Sequence, residues 1–290
     1  MYPVNHLLER ITWSDYDKDI IALLVQDNYP QYSPLTSGLE AEVVKITSND
    51  LCFVLKVWSK ESRPDVSIQF NLLDRLNRQG ISVSKPYGVG VDDNKNQVLL
   101  TSFDGPSITK LDKKKLHELV RILLQVHEFP VKEIDTEIVK QYDFVDYFYS
   151  RAEEHLDIYE RLIELISKAN LTYNHLIHGD FHLANVVESD GKLSIIDWTN
   201  GQLGDPRFDI AWSLLIMKIY FGERKAGVYY KEFLLRSNYS DSEMELFEAL
   251  ACLRWILLKR RFTVPMYKNT IFVVQGILIR NRYLSEKLLT

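Results

Sequence analysis

Cysteine is almost absent from this chain: Cys52 and Cys252 are the two thiols in 290 residues. They are too few and too far apart for a thiolate metal cluster, and they read as buried, reduced side chains of a reducing compartment. Basic excess is missing too. A formal charge of −5 provides no concentrated positive surface for nucleic acid. Nor is there an apolar run near the roughly 20 residues that cross a bilayer. The longest, WSLLIMKIYF, is short and carries Lys218. The opening MYPVNHLLERITWSD lacks the basic start and apolar core of a secretory signal. These absences predict a cytoplasmic protein with no membrane and no nucleic-acid partner. Long low-complexity tracts and internal repeats are lacking as well, which excludes disordered and solenoid classes.

What is present is core-forming material. Hydrophobic residues make up 46% and aromatics 12%, and the length favours two lobes over one compact unit. Residues 14–27, SDYDKDIIALLVQD, open on a capping serine and carry apolar residues at helical spacing. AEVVKI (41–46) and LCFVLKVW (51–58) are strand-like runs joined by the turn TSND. SRPDVSIQFNLLDRLNRQG opens on proline, closes on glycine and aligns Ile68, Leu72, Leu73 and Leu76 on one helix face. VSKPYGVG and QVLLTSF read as two further strands around DDNKN. Beyond FDGPSIT the periodicity turns helical, over 111–128, about 137–168, 207–221, 224–235, 241–261 and about 270–288. Strand-like exceptions sit at HGDFHLANVV and KLSIIDW. The expected architecture is α+β, with a small β-rich lobe over 1–103 and a larger, mostly helical lobe over 104–290.

The chemistry concentrates in HGDFHLANVV and LSIIDW. A lone His or Asp in a turn is ordinarily a structural hydrogen-bonding residue, but the spacing here is more specific. Asp180 and Asn185 stand five positions apart, and Asp197 ends an apolar strand. Phosphoryl transfer needs a carboxylate to orient and deprotonate the attacking hydroxyl. It also needs a carboxylate and an amide oxygen to hold Mg2+ against nucleotide phosphates. The pattern D-x-x-x-x-N followed by a metal-binding Asp matches at these three residues. A lysine on an early strand is also required, and Lys56 in CFVLKVW fits.

HGDFHLANV, IIDW and GDPRFDIA together resemble the aminoglycoside phosphotransferase and choline kinase family, whose fold is similar to that of protein kinases. The resemblance covers nearly the whole chain and is densest over 176–212. It implies a bilobal protein-kinase-like fold, with ATP and Mg2+ as cofactors. Asp180 would be the catalytic base, Asn185 and Asp197 the metal ligands, and Lys56 the contact to the α- and β-phosphates. The same comparison makes His178 a structural residue of the loop, and has His182 either brace the loop or sit near the transferred phosphate. Asp209 would accept hydrogen bonds from the loop backbone, with Asp205 and Pro206 shaping the turn before it. QVLLTSFDG matches the lobe connector, so backbone groups of Thr101, Ser102 and Phe103 would meet the adenine edge.

Two places depart from the family pattern. Gln69 stands where relatives carry the glutamate that pairs with the strand lysine; Asp65, one turn earlier, is the alternative partner. The phosphate-covering stretch LTSGLEAEV has a single glycine, so Ser37 and Gly38 are its candidate nucleotide contacts, against the plain reading of a hairpin turn.

Acceptor signals are mixed. Glu133, Asp135, Glu137, Asp143, Asp146, Glu153, Glu154, Asp157 and Glu160 outnumber Lys140, Arg151 and Arg161 over 133–164. An acidic pocket there would draw cationic acceptors, whereas a solvated helix face explains the same charges. Tyr142, Phe144, Tyr147, Phe148 and Tyr149 would be a cation-binding box or ordinary core. Arg254, Lys259, Arg260, Arg261, Arg280 and Arg282 are expected on the surface. The function expected is transfer of phosphate from Mg·ATP to a hydroxyl of a small molecule, such as an aminoglycoside, choline or a similar amine or alcohol. The alternatives are a nucleotide-binding protein without catalysis and a kinase acting on protein side chains.

Overall fold

A computed structural model describes residues 8–27, 29–35, 41–62, 64–108, 110–131 and 138–289. The chain divides into two compact units: Met1–Pro106 with Val187–Thr199, and Ser107–Val186 with Asn200–Thr290. The first is rich in antiparallel strands and the second is mostly helical, as an α+β, kinase-like chain requires.

The first unit is built on six strands: β1 (Thr12–Tyr16), β2 (Gln31–Pro34), β3 (Ala41–Ser48), β4 (Leu51–Trp58), β5 (Pro86–Val91) and β6 (Gln97–Ser102). They lie in the order β1-β5-β6-β4-β3-β2 with antiparallel pairing throughout. The β3–β4 hairpin turns on Asn49 and Asp50, both at positive φ, the backbone that a two-residue turn matched to strand twist demands. Beneath the sheet, Ile21 and Leu24 of α1 (Lys18–Gln26) pack with Ile46, Phe53, Leu55, Val98 and Leu100. α2 (Val66–Arg78) buries Leu72, Leu73 and Leu76.

Two expectations for this unit are corrected. The first helix begins at Lys18 rather than near Ser14, because Asp17 caps it through the N–H groups of Asp19 and Ile20. Residues 12–16 instead form β1, paired to β5. Helical periodicity downstream masked the extended residues upstream.

In the second unit, α3 (Lys113–His127), α4 (Phe144–Phe148), α5 (Leu156–Ala169), α6 (Pro206–Phe221), α7 (Glu223–Arg236), α8 (Asp241–Arg261) and α9 (Thr270–Arg280) surround a short pair of strands. These are β7 (His175–Ile177) and β10 (Gln202–Gly204), antiparallel to each other. The long helix expected over 137–168 is broken into α4, a 3-10 turn at Ala152–Glu154 and α5, with Arg151 at positive φ between the pieces. The last helix likewise stops at Arg280, followed by a 3-10 turn at Glu286–Leu289. α6 is apolar nearly all round and buried nearly all round, with Asp205 as its cap and Pro206 at its first turn. The hairpin of β8 (Val186–Ser189) and β9 (Lys192–Ile195), which from Val187 on belongs to the first unit, turns on Asp190 and Gly191 at positive φ. Cys252 is buried as expected, whereas Cys52 is only half-buried; both are free thiols.

Among the described residues, no helix is long and apolar enough to cross a membrane.

Candidate active site

The residues assigned from the sequence fall in both compact units, so each set is built up in its own unit. In the helical unit, β7 delivers His178, Gly179 and Asp180, and a 3-10 turn at Leu183–Asn185 follows. Gly179 sits at φ 76°, and a Cβ there would lie 2.6 Å from the Asn200 carbonyl oxygen; both demands explain glycine in HGD.

Asp209, wholly buried in the first turn of α6, holds this loop. Its Oδ2 accepts the His178 backbone N–H at 2.8 Å and its Oδ1 that of Gly179 at 2.9 Å. His127, on α3, places Nε2 3.1 Å from the same Oδ2. Its Nδ1 is buried without a partner, so Nε2 is the ring nitrogen engaged with Asp209. Asp180's own N–H donates to His178 Nδ1 at 3.2 Å, so buried His178 is an acceptor on that nitrogen. Backbone donors that would otherwise be orphaned in the interior thus have fixed partners.

Asp180 keeps 26% of its side chain exposed. Its Oδ1 accepts the Trp212 indole N–H at 2.7 Å and has Arg254 Nη2 at 3.9 Å. Its Oδ2 stands 3.4 Å from His182 Nε2. Burial pushes the carboxyl up, but the charge and hydrogen bond of His182 and the charge of Arg254 outweigh it and hold Asp180 well below the usual carboxylate range. Asn185 donates from Nδ2 to the Asp180 carbonyl oxygen at 3.0 Å, which leaves its amide oxygen as the donor atom for a hard cation. His182 Nε2 also lies 3.5 Å from Asn185 Nδ2.

In the β-rich unit, Lys56 on β4 has its Nζ 3.3 Å from Asp197 Oδ1. Asp197 follows β9, sits at φ 64° and accepts the Thr199 hydroxyl at 2.9 Å. Positive φ is uncommon for a non-glycine residue, and such strain gathers at functional loops. Gln69 is buried on α2, and its Oε1 has no hydrogen-bond partner. Asp65 serves as the N-cap of α2, accepting from Ile68. The lysine is therefore paired with Asp197.

The connector reading narrows. The N–H of Ser102 donates to the Lys85 carbonyl at 2.8 Å and that of Phe103 to the Cys52 carbonyl at 3.1 Å, so those donors are committed within the sheet. Thr101 is buried in β6, its hydroxyl turned onto the Ser102 carbonyl. Ser37 and Gly38 lie outside the described residues.

Metal chemistry has a sparse donor set. Among the described residues, no group of three or more His, Cys, Asp or Glu side chains could hold an ion. One carboxylate and one amide oxygen suit Mg2+, which keeps waters and takes the rest of its shell from phosphates.

Sequence reasoning missed two residues, and an aromatic cluster it left open resolves as core. Trp212 and Arg254 both address Asp180, and Arg254, expected on the surface, is 8% exposed. Phe144, Phe148 and Tyr149 are core, and Phe148 receives the chain's own Arg254 guanidinium at 4.8 Å. Tyr142 and Tyr147 stack at 4.7 Å, and Tyr147 donates its hydroxyl to Asn200 at 3.0 Å. Three acids of the stretch are engaged within the fold: Asp143 caps α4, Glu154 pairs with Arg151, and Asp157 with Arg260. Glu133, Asp135 and Glu137 lie outside the described residues.

A β-rich unit with a strand lysine and a helical unit with an HGD loop braced from a helix define the kinase-like phosphotransferase class. Residues 31–241 match the phosphotransferase enzyme family, APH, and the chain belongs to it. Solved structures share the fold at low identity. An amicoumacin kinase in complex with AMP-PNP, Ca2+ and Ami is 18% identical, with TM-score 0.67 over 95% of this chain and 98% of its own. Choline kinase LicA from Streptococcus pneumoniae is 16% identical, with TM-score 0.61 over 85% and 93%. A thermostable mutant of the aminoglycoside phosphotransferase APH(4)-Ia, in ternary complex with AMP-PNP and hygromycin B, is 13% identical, with TM-score 0.63 over 92% and 99%. No curated protein matches the chain.

Proposed function

We propose that the protein transfers the γ-phosphoryl group of ATP to a hydroxyl of a small molecule in a Mg2+-dependent reaction, with Asp180 as the catalytic base. The observation that carries this reading is the setting of Asp180: a carboxylate fixed at one oxygen by Trp212 and open over a quarter of its side chain. In a loose transition state the hydroxyl proton leaves late, so a weakly basic carboxylate serves chiefly to orient the nucleophile. The acceptor oxygen forms its bond to the γ-phosphorus while the bond to the β–γ bridging oxygen breaks. ADP departs with that electron pair, and the hydroxyl proton passes to Asp180.

Lys56 is the cation for the α- and β-phosphates, and Asn185 and Asp197 are the oxygen donors for the metal. When bound, Mg2+ neutralises charge developing on the phosphates. Occupation of the nucleotide site draws Lys56 away from Asp197. Backbone groups around Thr101, Ser102 and Phe103 border the adenine, with Ser37 and Gly38 on the phosphate side. Structural relatives include an amicoumacin kinase, a choline kinase and an aminoglycoside phosphotransferase bound to hygromycin B, and a small-molecule acceptor of that range, phosphorylated on a hydroxyl, is the one proposed.

The test is ADP release from Mg·ATP across hygromycin B, a second aminoglycoside, choline, ethanolamine and homoserine. Stimulation by one acceptor class supports the reading and names the acceptor; ATP binding without stimulation across the panel counts against it. For the metal, Asp197→Ala is expected to abolish the tightening of ATP binding by Mg2+ in titration calorimetry, and intact tightening removes the assignment.

A further inference from the structure

Arg254 is an unusual residue to find in the interior. It lies in the middle of α8, inside the apolar run LACLRWILL, and is 8% exposed. Desolvating a guanidinium costs several kcal/mol unless its donors and charge are compensated, so its surroundings show what it is kept for. Nη1 donates to the Gly179 carbonyl at 2.8 Å. Nη2 stands 3.9 Å from Asp180 Oδ1. The guanidinium carbon lies 4.2 Å from the Trp212 ring centroid, 4.8 Å from that of Phe148 and 5.8 Å from that of Phe208. Rings on α4 and α6 therefore sandwich a cation whose polar contacts are the two residues of the catalytic loop.

Trp212 belongs to the same arrangement. Its ring carries Arg254 and its N–H is given to Asp180 Oδ1 at 2.7 Å. The two carboxylate oxygens of Asp180 are consequently unequal. Oδ1 is held by an indole N–H and faced by a buried guanidinium; among the described residues Oδ2 is met by His182, at 3.4 Å.

We propose that Arg254 and Trp212 are positioning residues that clamp Oδ1 of Asp180, leaving Oδ2 as the oxygen that orients the acceptor hydroxyl and takes its proton. This rests on the reading of Asp180 as the base. Arg254 acts twice, through the Gly179 carbonyl on the loop backbone and through charge on the carboxylate. Trp212 acts once, through its N–H. A buried charge serving only the fold would need no relation to Oδ1; here both donors converge on it.

Three variants separate positioning from plain support. Arg254→Met keeps an unbranched apolar chain against the rings while removing charge and donors. It is expected to lower kcat for ADP release from Mg·ATP, with the acceptor panel above, by about 10- to 100-fold. KM for ATP should stay within about twofold, because the interaction lost is not with nucleotide. Trp212→Phe keeps a ring under Arg254 and removes the N–H, with an expected loss of about tenfold. Combining the two should cost little more than Arg254→Met alone, since both act on one oxygen. Arg254→Lys, which restores charge without the fork, should recover part of the loss.

Crystal structures of Trp212→Phe and Arg254→Met are expected to show the Asp180 carboxylate turned from its place with the helices unmoved. Asp180 unmoved in both, or kcat unchanged in Trp212→Phe, overturns the proposal. So does a purely KM effect or full additivity. Should Arg254→Met fail to fold, Trp212→Phe alone decides by the same two readouts. Silence of the wild-type protein across the panel would strike the functional reading, whereas the rotation of Asp180 in the variant crystals would still decide the clamp.

Discussion

Lys56 and Asp180 are both charged groups central to the proposed reaction, yet the chain holds them in opposite ways. Lys56 has one ion-pair partner at 3.3 Å, Asp197, whose side chain is 41% exposed. The glutamine at the expected acid position has a buried oxygen with no partner. Asp180 stands in a loop whose His178 and Gly179 N–H groups, Gly179 carbonyl and Asp180 carboxylate are met by side chains from α6 and α8. The acceptor side is thus built in advance by buried polar networks, which are stabilising only when fully satisfied. The lysine is held by one partly exposed carboxylate, which in the proposed reaction is the metal ligand.

This contrast should divide the effects of substitutions between stability and binding. The largest stability loss is expected from Asp209→Ala, which leaves two buried backbone N–H groups and His127 without their acceptor. At about 1–3 kcal/mol per stranded donor, urea denaturation should show several kcal/mol lost, or no folded protein. Lys56→Met should behave in the opposite sense. Its denaturation midpoint should stay close to wild type, since the pair it breaks is partly solvated, while calorimetry shows Mg·ATP binding weakened about 10- to 100-fold. Comparable destabilisation by both variants would erase the distinction between the two regions.

A smaller effect sharpens the same contrast at Gln69. Gln69→Met replaces an unpartnered buried oxygen with apolar volume, and should raise stability by about 1 kcal/mol with Mg·ATP affinity unchanged. Lower affinity in that variant would show Gln69 to be a partner of the lysine after all. The smallest effect is expected far from both regions, at the Arg260–Asp157 pair. The hydrogen bond from Arg260 is the main cause of the lowered Asp157 carboxyl. Because the folded-state value is depressed, the stabilisation is present above the ordinary carboxylate value and lost as pH falls through the folded one. Asp157→Asn should therefore lose about 0.2–1 kcal/mol near neutral pH, and the difference should vanish in acid. A difference that persisted there would point to packing instead.

Local signals carried most of what could be read in the sequence. Turn chemistry at TSND and DDNKN placed the β3–β4 and β5–β6 hairpins, and 3.6-residue patterns located α3, α6, α7 and α8 to within a residue or two. The short strands β1 and β2 were hidden, β1 because a strong helical pattern begins two residues after it. The positions of Asp180, Asn185, Asp197 and Lys56 stood out through their spacing. Trp212 and Arg254 did not, since their contacts to the loop span 32 and 75 residues of chain and no local pattern records such distances. One clue was present: a single arginine within LACLRWILL has no water to face on a helix buried all round. The acidic and aromatic residues of 142–160 left two readings open, because their partners, Arg254 and Arg260, are about a hundred residues away.

The central claim, that Asp180 is the base of a phosphotransferase, is tested most directly by comparing wild type with Asp180→Asn in formation of phosphorylated acceptor from Mg·ATP, followed by phosphorus NMR. Turnover is expected to fall by about 10² to 10⁴ with ATP affinity nearly unchanged. Near-normal product formation by Asp180→Asn would contradict the account.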